Sequence, residues 1–217
     1  MTKVLFVKGN PKGTDQSYSL RIGRSFLDAY RAANPGAQIT ELDLYEDHIP
    51  LIDEDVMTGW GKLARQEELS HHEAHKVQRL GELVDQFLDT DVVVFAAPMW
   101  NFGYPPMVKA YMDAIAVAGK TFRYTAQGPI GLATGKKAVI IEARGGIWSG
   151  DAARGMEHSQ SHLRGFLGFL GVTDVETVFA EGFNIDPSKA DDILAEATTR
   201  AQSVARSLAE GQPVQSA

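Results

Sequence analysis

The sequence predicts an α/β protein with a doubly wound parallel sheet of five strands, order 2-1-3-4-5, and helices on both faces. Strand-like apolar runs alternate with amphipathic helical segments along the 217 residues, as in parallel-sheet domains. The run Asp91–Ala97 is short, apolar and β-branched, which is typical of a strand buried on both faces. Five strands suit the order that binds a mononucleotide beside the first and third strands, since the dinucleotide-binding order needs a sixth.

The first half of the chain contains three of these strands and two helices. Lys3–Lys8 and Gln38–Leu44 carry strand-like apolar residues, and the helix between them, at about Ser17–Ala33, ends at an Asn-Pro-Gly turn. An apolar stripe with helical spacing marks the second helix, at residues 70–88. Residues 45–70 follow no period and leave room only for short helices.

The second half of the chain continues the alternation after a polar excursion at Gly119–Gly135. Pro105 lies in the first turn of a helix, where its missing N–H costs nothing, and Gly171 ends the next helix. The remaining predicted elements are the helices at 105–118, 152–170 and 187–208, the last capped by Asp186 or Ser188, and the strands at 137–143 and 173–180. We expect residues 1–210 to form a single domain and residues 211–217 to be a frayed tail.

Composition excludes several classes of function. The net charge of −7 argues against nucleic acid as a partner, because phosphate contacts need a basic surface. No apolar run approaches the ~20 residues of a membrane span and the amino terminus has no signal-peptide layout, so we expect a cytoplasmic protein with no membrane partner. The chain has no cysteine, so redox chemistry would need a cofactor. His71 and His75 share a helix face without an evident third ligand, and we expect no metal.

The loop after the first strand carries polar groups at the start of a helix. These residues are Asn10, Thr14, Gln16, Ser17 and Ser19. Free N–H groups and the helix dipole favour an anion at that position. The alternative is that Ser17 or Asp15 only caps the helix. Because the loop after the third strand lies beside it in the predicted topology, phosphate binding is the better interpretation.

The loop after the third strand, residues 98–106, is rich in aromatic and turn-forming residues. Trp100, Asn101 and Phe102 are consecutive, so they cannot all point into the core. Flat rings beside amide groups suit a planar, hydrogen-bonding ligand such as a flavin ring. The alternative is a hydrophobic loop that only plugs the edge of the core.

The loop after the fourth strand, residues 143–150, contains the pair Gly145-Gly146. Glycine allows close backbone approach to a ligand or a positive φ. The alternative is a plain turn. All three loops fall at the edge where open α/β sheets bind ligands.

Seven segments, taken in order, resemble the FMN-dependent NADH-azoreductases of the flavodoxin-like quinone reductase superfamily. They are A-A-P-M-W-N-F at 96–102, K-A-Y-M-D at 109–113, A-G-K-T-F-R-Y-T at 118–125, G-P-I-G-L-A-T-G-K-K at 128–137, A-R-G-G at 143–146, F-L-G-F-L-G at 166–171 and V-F-A-E-G at 178–182. The resemblance extends over nearly the whole chain and implies a flavodoxin-like fold. One departure is the first loop, which reads Asn-Pro-Lys-Gly rather than a Ser-rich run.

The resemblance also implies which residues hold FMN. Those implied at the phosphate are Asn10, Ser17, Tyr18 and Ser19. Those implied at the ring and ribityl chain are Met99, Trp100, Asn101 and Phe102. Those implied at the pyrimidine edge are Ala143, Arg144, Gly145 and Gly146. The implied substrate pocket comprises Phe122 and Tyr124 as its wall, Phe169 from the partner subunit, and Trp148 where some members place a His.

The implied activity is an FMN oxidoreductase that uses NADH, or NADPH, to reduce azo compounds and quinones. A flavin supplies the redox chemistry, so we expect ping-pong kinetics in a homodimer with sites at the interface, and we assign no catalytic side-chain acid or base. The alternative is a flavodoxin-like electron carrier or a flavin-binding redox regulator without a small-molecule substrate. A carrier needs no aromatic wall, so the segment with Phe122 and Tyr124 favours the enzyme.

Overall fold

The computed structural model describes residues 1–150 and 155–211. Its main sheet has five parallel strands in the order β2-β1-β3-β6-β7. These strands are β1 (Lys3–Lys8), β2 (Gln38–Asp43), β3 (Val92–Pro98), β6 (Lys137–Arg144) and β7 (Asp174–Glu181). The predicted parallel α/β sheet is confirmed, and six of the seven residues of β3 are buried.

Six α-helices in the described residues cover the sheet. They are α1 (Tyr18–Ala33), α2 (Glu54–Ala64), α3 (His71–Leu88), α4 (Pro106–Ile115), α5 (Gln160–Leu170) and α6 (Ala190–Ala209). Apolar residues of α1 and α6 pack on one face of the sheet, and those of α3, α4 and α5 pack on the other. The sheet is therefore doubly wound, as the alternation of elements predicts. No helix in this part of the chain is long and apolar enough to cross a membrane.

Two predictions about the elements need correction, and a third is not tested. The excursion at 119–135 forms an antiparallel hairpin of β4 (Phe122–Thr125) and β5 (Gly128–Gly131), so the predicted fourth and fifth strands of the main sheet are β6 and β7. The helix predicted from residue 152 begins at Gln160, and residues 151–154 lie outside the described residues. The predicted frayed tail also lies outside them, except Gly211.

The register of the strands brings the three predicted loops to one edge. Lys8 of β1 pairs with Ala96 of β3, and Pro98 of β3 pairs with Ala143 of β6. Because parallel strands end on the same side, the loops that leave β1, β3 and β6 are neighbours there. Chain connectivity reverses between β1 and β3, which is the switch point where such sheets bind ligands.

Candidate functional site

A buried cluster of hydroxyl and amide groups lies where the first loop enters α1. Asn10 Nδ2 donates to Ser17 Oγ at 2.9 Å, and Ser17 Oγ lies 3.1 Å from Ser19 Oγ. All three side chains are buried although they are polar. Ser17 is also the N-cap of α1, because its Oγ accepts the Leu20 N–H at 3.3 Å. Ser17 therefore caps the helix, and phosphate binding by the cluster stays a prediction.

The start of α1 has the chemistry of an anion site. The first N–H groups of an α-helix have no partner within the helix, and the helix dipole is positive there. No acidic side chain lies in the first turn of α1. Lys12 lines the same space and adds a positive charge. A phosphate group fits this combination of N–H, hydroxyl and ammonium donors.

The second loop forms a tight turn with two residues in the left-handed region. Asn101 has φ 47° and Phe102 has φ 68°. Trp100 and Gly103 exchange backbone hydrogen bonds of 2.8 and 3.0 Å around them, as in a two-residue hairpin turn. Left-handed φ is rare for Phe and costs about 1–3 kcal/mol, so contacts outside the turn must hold it.

The turn presents aromatic surface and backbone donors. Trp100 and Phe102 are 41% and 40% exposed, which a loop that plugs the core would not show. In residues 1–150 and 155–211 the N–H groups of Asn101 and Phe102 make no hydrogen bond. Exposed rings beside unpaired N–H groups can receive a flat ligand that carries hydrogen-bond acceptors.

The glycine pair of the third loop admits neighbouring side chains. A Cβ on Gly145 would lie 2.4 Å from Asn184 Nδ2, and a Cβ on Gly146 would lie 2.7 Å from Trp148 Nε1. Neither glycine has a positive φ. The positive φ that the pair would permit is therefore not observed, and the missing Cβ atoms make room for Asn184 and Trp148. Close approach of a ligand to this backbone stays a prediction.

These loops enclose a cleft of about 210 Å³ at the switch point, here called the switch-point cleft. Predicted site residues that line it are Asn10, Ser17, Tyr18, Ser19, Met99, Trp100, Ala143, Arg144 and Gly145. Gln16, one of the polar groups noted in the first loop, also lines it, and sequence reasoning missed four further lining residues, which are Lys12, Pro98, Phe183 and Asn184. The Phe183 ring stacks on Tyr18 with ring centroids 3.8 Å apart. Its place directly after the last strand of the sheet is the signal that could have found it.

The other predicted residues do not line this cleft within one chain. Phe122 is 8% exposed and packs on Phe169 at 4.6 Å and on Tyr124 at 5.4 Å between ring centroids. The ring of Trp148 meets Phe102 edge-on at 5.2 Å. The residues outside the lining are therefore Asn101, Phe102, Gly146, Phe122, Tyr124, Trp148 and Phe169. Tyr124, at 75% exposure, is the most open of the rings among them.

The Arg144 side chain is buried in an ionic cluster beside the cleft. Its Nε donates to Glu142 at 2.7 Å and its Nη1 donates to Glu181 at 2.9 Å. Its guanidinium carbon lies 3.9 Å from the centroid of the Phe179 ring. Only 1% of the side chain is exposed, so Arg144 can offer a ligand its backbone but not its charge.

Burial dominates the proton affinities in this cluster. It raises the pKa of the Glu142 carboxyl, and the Arg144 charge with the hydrogen bonds from Ser159 and Tyr104 offsets only part of that effect. Burial, followed by the charge of Glu142, holds the pKa of Tyr104 well above its usual value. Tyr104 therefore stays protonated and donates its O–H to Glu142.

A larger groove, of about 700 Å³, lies between β7 and α6. Phe179, Ile193 and Ala197 give it an apolar floor, and Glu196 and Arg200 flank it. It lies away from the switch point, and its described lining residues come from β7 and α6 alone. We therefore take the smaller cleft as the functional site, because donors from three loops converge there.

A ligand cleft at the switch point of a five-stranded sheet in this order defines the flavodoxin-like class of proteins. The sequence matches the family described as Flavodoxin-like fold over residues 2–205, and the chain belongs to that family. It is 48% identical over 208 residues to an FMN-dependent NADH:quinone oxidoreductase of Geobacillus kaustophilus (strain HTA426), covering 94% of this chain and 99% of that protein. An FMN-dependent NADH:quinone oxidoreductase 2 of Bacillus subtilis (strain 168) is 47% identical to this chain, covering 93% of this chain and 97% of that protein.

Solved structures agree with this assignment. An FMN-dependent NADH-azoreductase of Bacillus anthracis str. Ames Ancestor, in complex with FMN, superposes with a TM-score of 0.91 at 32% identity, covering 96% of this chain and all of that one. An azoreductase of Bacillus anthracis str. Sterne superposes with a TM-score of 0.88 at 38% identity, covering 95% of this chain and 99% of that one. The resemblance drawn from the seven sequence segments is therefore confirmed.

Proposed function

We propose that this protein is an FMN-dependent oxidoreductase that takes electrons from NADH and reduces quinones and azo compounds. The observation that carries the proposal is one cleft that combines a phosphate-type donor cluster with an exposed aromatic turn. These two halves match the phosphate and the planar ring of FMN. Relatives of 48% and 47% identity, named as FMN-dependent NADH:quinone oxidoreductases, support the same reading.

The chain holds each part of the cofactor with a different loop. Ser17, Tyr18 and Ser19, with Asn10, would receive the phosphate through hydroxyl, amide and backbone donors. Met99 and Trp100 would lie along the ring and ribityl chain, with Asn101 and Phe102 supplying the turn beside them. The backbone of Ala143, Arg144, Gly145 and Gly146 would meet the pyrimidine edge.

FMN, when bound, supplies hydride and electron transfer, which no side chain of this protein can do. The contribution of the chain is electrostatic. The N–H groups of Asn101 and Phe102 are held in a fixed turn, so they can stabilise negative charge without reorganising. NADH and the acceptor would occupy the same site in turn, which gives ping-pong kinetics. Protons would come either from water or from the exposed Tyr124 hydroxyl, so no one side chain is assigned as acid or base.

A second copy of the chain would complete the site. The switch-point cleft, at about 210 Å³, is smaller than the ~300–1,000 Å³ usual for ligand pockets, so one chain encloses only part of a cofactor and substrate. The exposed apolar residues Phe102, Tyr124 and Ile147 could supply an interface around it. In a homodimer, Phe122, Tyr124 and Phe169 would form the wall over the partner's ring. We place the enzyme in the cytoplasm, where NADH is available.

An absorbance experiment tests the proposal. The purified protein is supplemented with FMN, desalted and titrated anaerobically with NADH, and then a quinone or an azo dye is added. We expect retained flavin bands that bleach with NADH and return with either acceptor. Bands that persist under NADH would instead support an electron carrier or a redox regulator. Absence of retained flavin would contradict the proposal.

A further inference from the structure

The left-handed turn at Asn101 and Phe102 is supported from two sides. On one side, the His158 N–H donates to the Phe102 carbonyl at 2.7 Å. On the other side, Tyr104 follows two residues later and its hydroxyl donates to Glu142 Oε2 at 2.5 Å. The turn is therefore fixed by contacts outside itself, as its unfavourable φ values require.

Both supports are connected to the carboxylate of Glu142 by hydrogen bonds. Ser159 Oγ, next to His158, lies 2.6 Å from Glu142 Oε1, while Tyr104 bonds to Oε2. Glu157, the other neighbour of His158, accepts the Ser159 N–H at 2.8 Å and lies 3.4 Å from Arg144 Nη2. One side chain on β6 thus receives bonds from the loop after β3 and from the segment before α5.

The Glu142 side chain is fixed in place by its own surroundings. It is fully buried, and Arg144 Nε donates to it at 2.7 Å. Arg144 in turn pairs with Glu181, which accepts the Trp148 N–H at 2.8 Å. A carboxylate that is buried, charge-paired and hydrogen-bonded on both oxygens has little freedom to move.

We infer that Glu142 is a positioning residue that holds the Asn101–Phe102 turn in its left-handed conformation, with its N–H groups ready for the flavin ring. This inference rests on the proposed function for the identity of the ligand. It predicts that Glu142 affects the rate of flavin reduction by NADH through Tyr104 and Ser159, without contact with the ring. A displacement of about 1 Å at a reacting group can cost on the order of a hundred-fold in rate.

Rapid-mixing kinetics on FMN-loaded protein test the inference through Glu142→Leu, Glu142→Gln and Tyr104→Phe. At saturating NADH we expect Glu142→Leu to lower the rate constant of flavin reduction by about ten- to a hundred-fold. The apparent Kd for NADH should change less than two-fold. Glu142→Gln keeps an oxygen that accepts the Tyr104 hydroxyl, so it should recover part of the loss. If the Leu variant does not fold, Tyr104→Phe alone must still slow reduction.

The matched control is Asp91→Asn at the opposite edge of the sheet. Asp91 Oδ2 accepts the Lys3 N–H at 2.8 Å, so this variant weakens a carboxylate hydrogen bond between β1 and the residue that precedes β3. It should leave the reduction rate within two-fold of wild type. The inference is overturned if the Glu142 and Tyr104 variants also stay within two-fold, or if Asp91→Asn slows reduction equally. Loss of FMN binding or reduction in the wild type would instead contradict the proposed function.

Hydrogen exchange in the flavin-free protein gives a second readout that does not depend on activity. The His158 amide should exchange at least ten-fold faster in Glu142→Leu than in wild type, because its bond to the Phe102 carbonyl is released. The Gly9 amide, bonded to the Ala96 carbonyl at 2.9 Å, serves as the internal reference. Equal protection of His158 in both proteins would show that Glu142 does not hold the turn.

Discussion

At the scale of single residues, the conformation of Asn101 carries a prediction about cofactor affinity. Its φ of 47° is tolerated by Asn and Gly but costs other residues about 1–2 kcal/mol. Asn101→Ala should therefore weaken FMN binding about five-fold or more, measured by quenching of flavin fluorescence. Asn101→Gly keeps the turn and should stay within about two-fold of wild type. Unchanged binding in the Ala variant would remove Asn101 from the site.

The hydroxyl of Ser19 tests the phosphate end of the cleft. It lies 3.1 Å from Ser17 Oγ and is buried at the start of α1. A hydrogen bond to a charged group contributes about 1.5–3 kcal/mol, so Ser19→Ala should weaken FMN binding about ten-fold or more. Riboflavin, which has no phosphate, should bind the variant and the wild type alike. Ser25→Ala on the same helix is the control, and equal losses for both flavins would contradict the assignment.

At the scale of elements, the β4/β5 hairpin makes a close backbone contact with the end of α5. A Cβ on Gly131 would lie 2.2 Å from the Gly171 nitrogen at the end of α5. Gly131→Ala should therefore lower the free energy of unfolding by about 1–3 kcal/mol in urea denaturation. Gly165→Ala in α5 has no atom within 4 Å of the new Cβ and should raise it by about 0.5–1 kcal/mol. A Gly131→Ala protein as stable as wild type would show that the hairpin packs otherwise.

The sequence predicts most elements because their signals are local. A short apolar run predicts β3, and apolar residues at helical spacing predict α3. Ser17 marks the start of α1 as its cap. The predicted start of α5 was wrong because its cap is unusual. The Glu157 carboxylate accepts the Gln160 N–H at 2.7 Å, whereas Ser, Thr, Asp and Asn are the residues that usually cap a helix. The hairpin was missed because its support is the tertiary contact of Gly131 with Gly171.

The same distinction applies to the site. Asn10, Ser17 and Trp100 lie in the loops that leave β1 and β3, so the topology of the sheet brings them together. The direction of the Arg144 side chain could not be read from its loop, because it depends on Glu142 and on Glu181 in another strand. The resemblance implied Arg144 beside the ligand, whereas its guanidinium group pairs with Glu142 and Glu181.

At the scale of the whole molecule, buried tyrosines predict instability at high pH. Burial raises the pKa of both Tyr104 and Tyr111 above the unfolded value near 10. Their contribution to stability is present below pH ~10 and is lost as the pH rises toward the folded-state values. We expect the free energy of unfolding in urea to fall between about pH 9.5 and 11, with these two phenols ionising only on unfolding. Constant stability over that range would contradict their burial.

The most direct test of the account is a crystal structure of the protein with FMN. We predict the phosphate at the start of α1, within hydrogen-bonding distance of the Ser17 and Ser19 hydroxyls, and the ring against Trp100 and the Asn101–Phe102 turn. The Arg144 guanidinium should remain on Glu142 and Glu181. FMN bound in the groove between β7 and α6, or a ring that makes no contact with the turn, would contradict the switch-point cleft as the site.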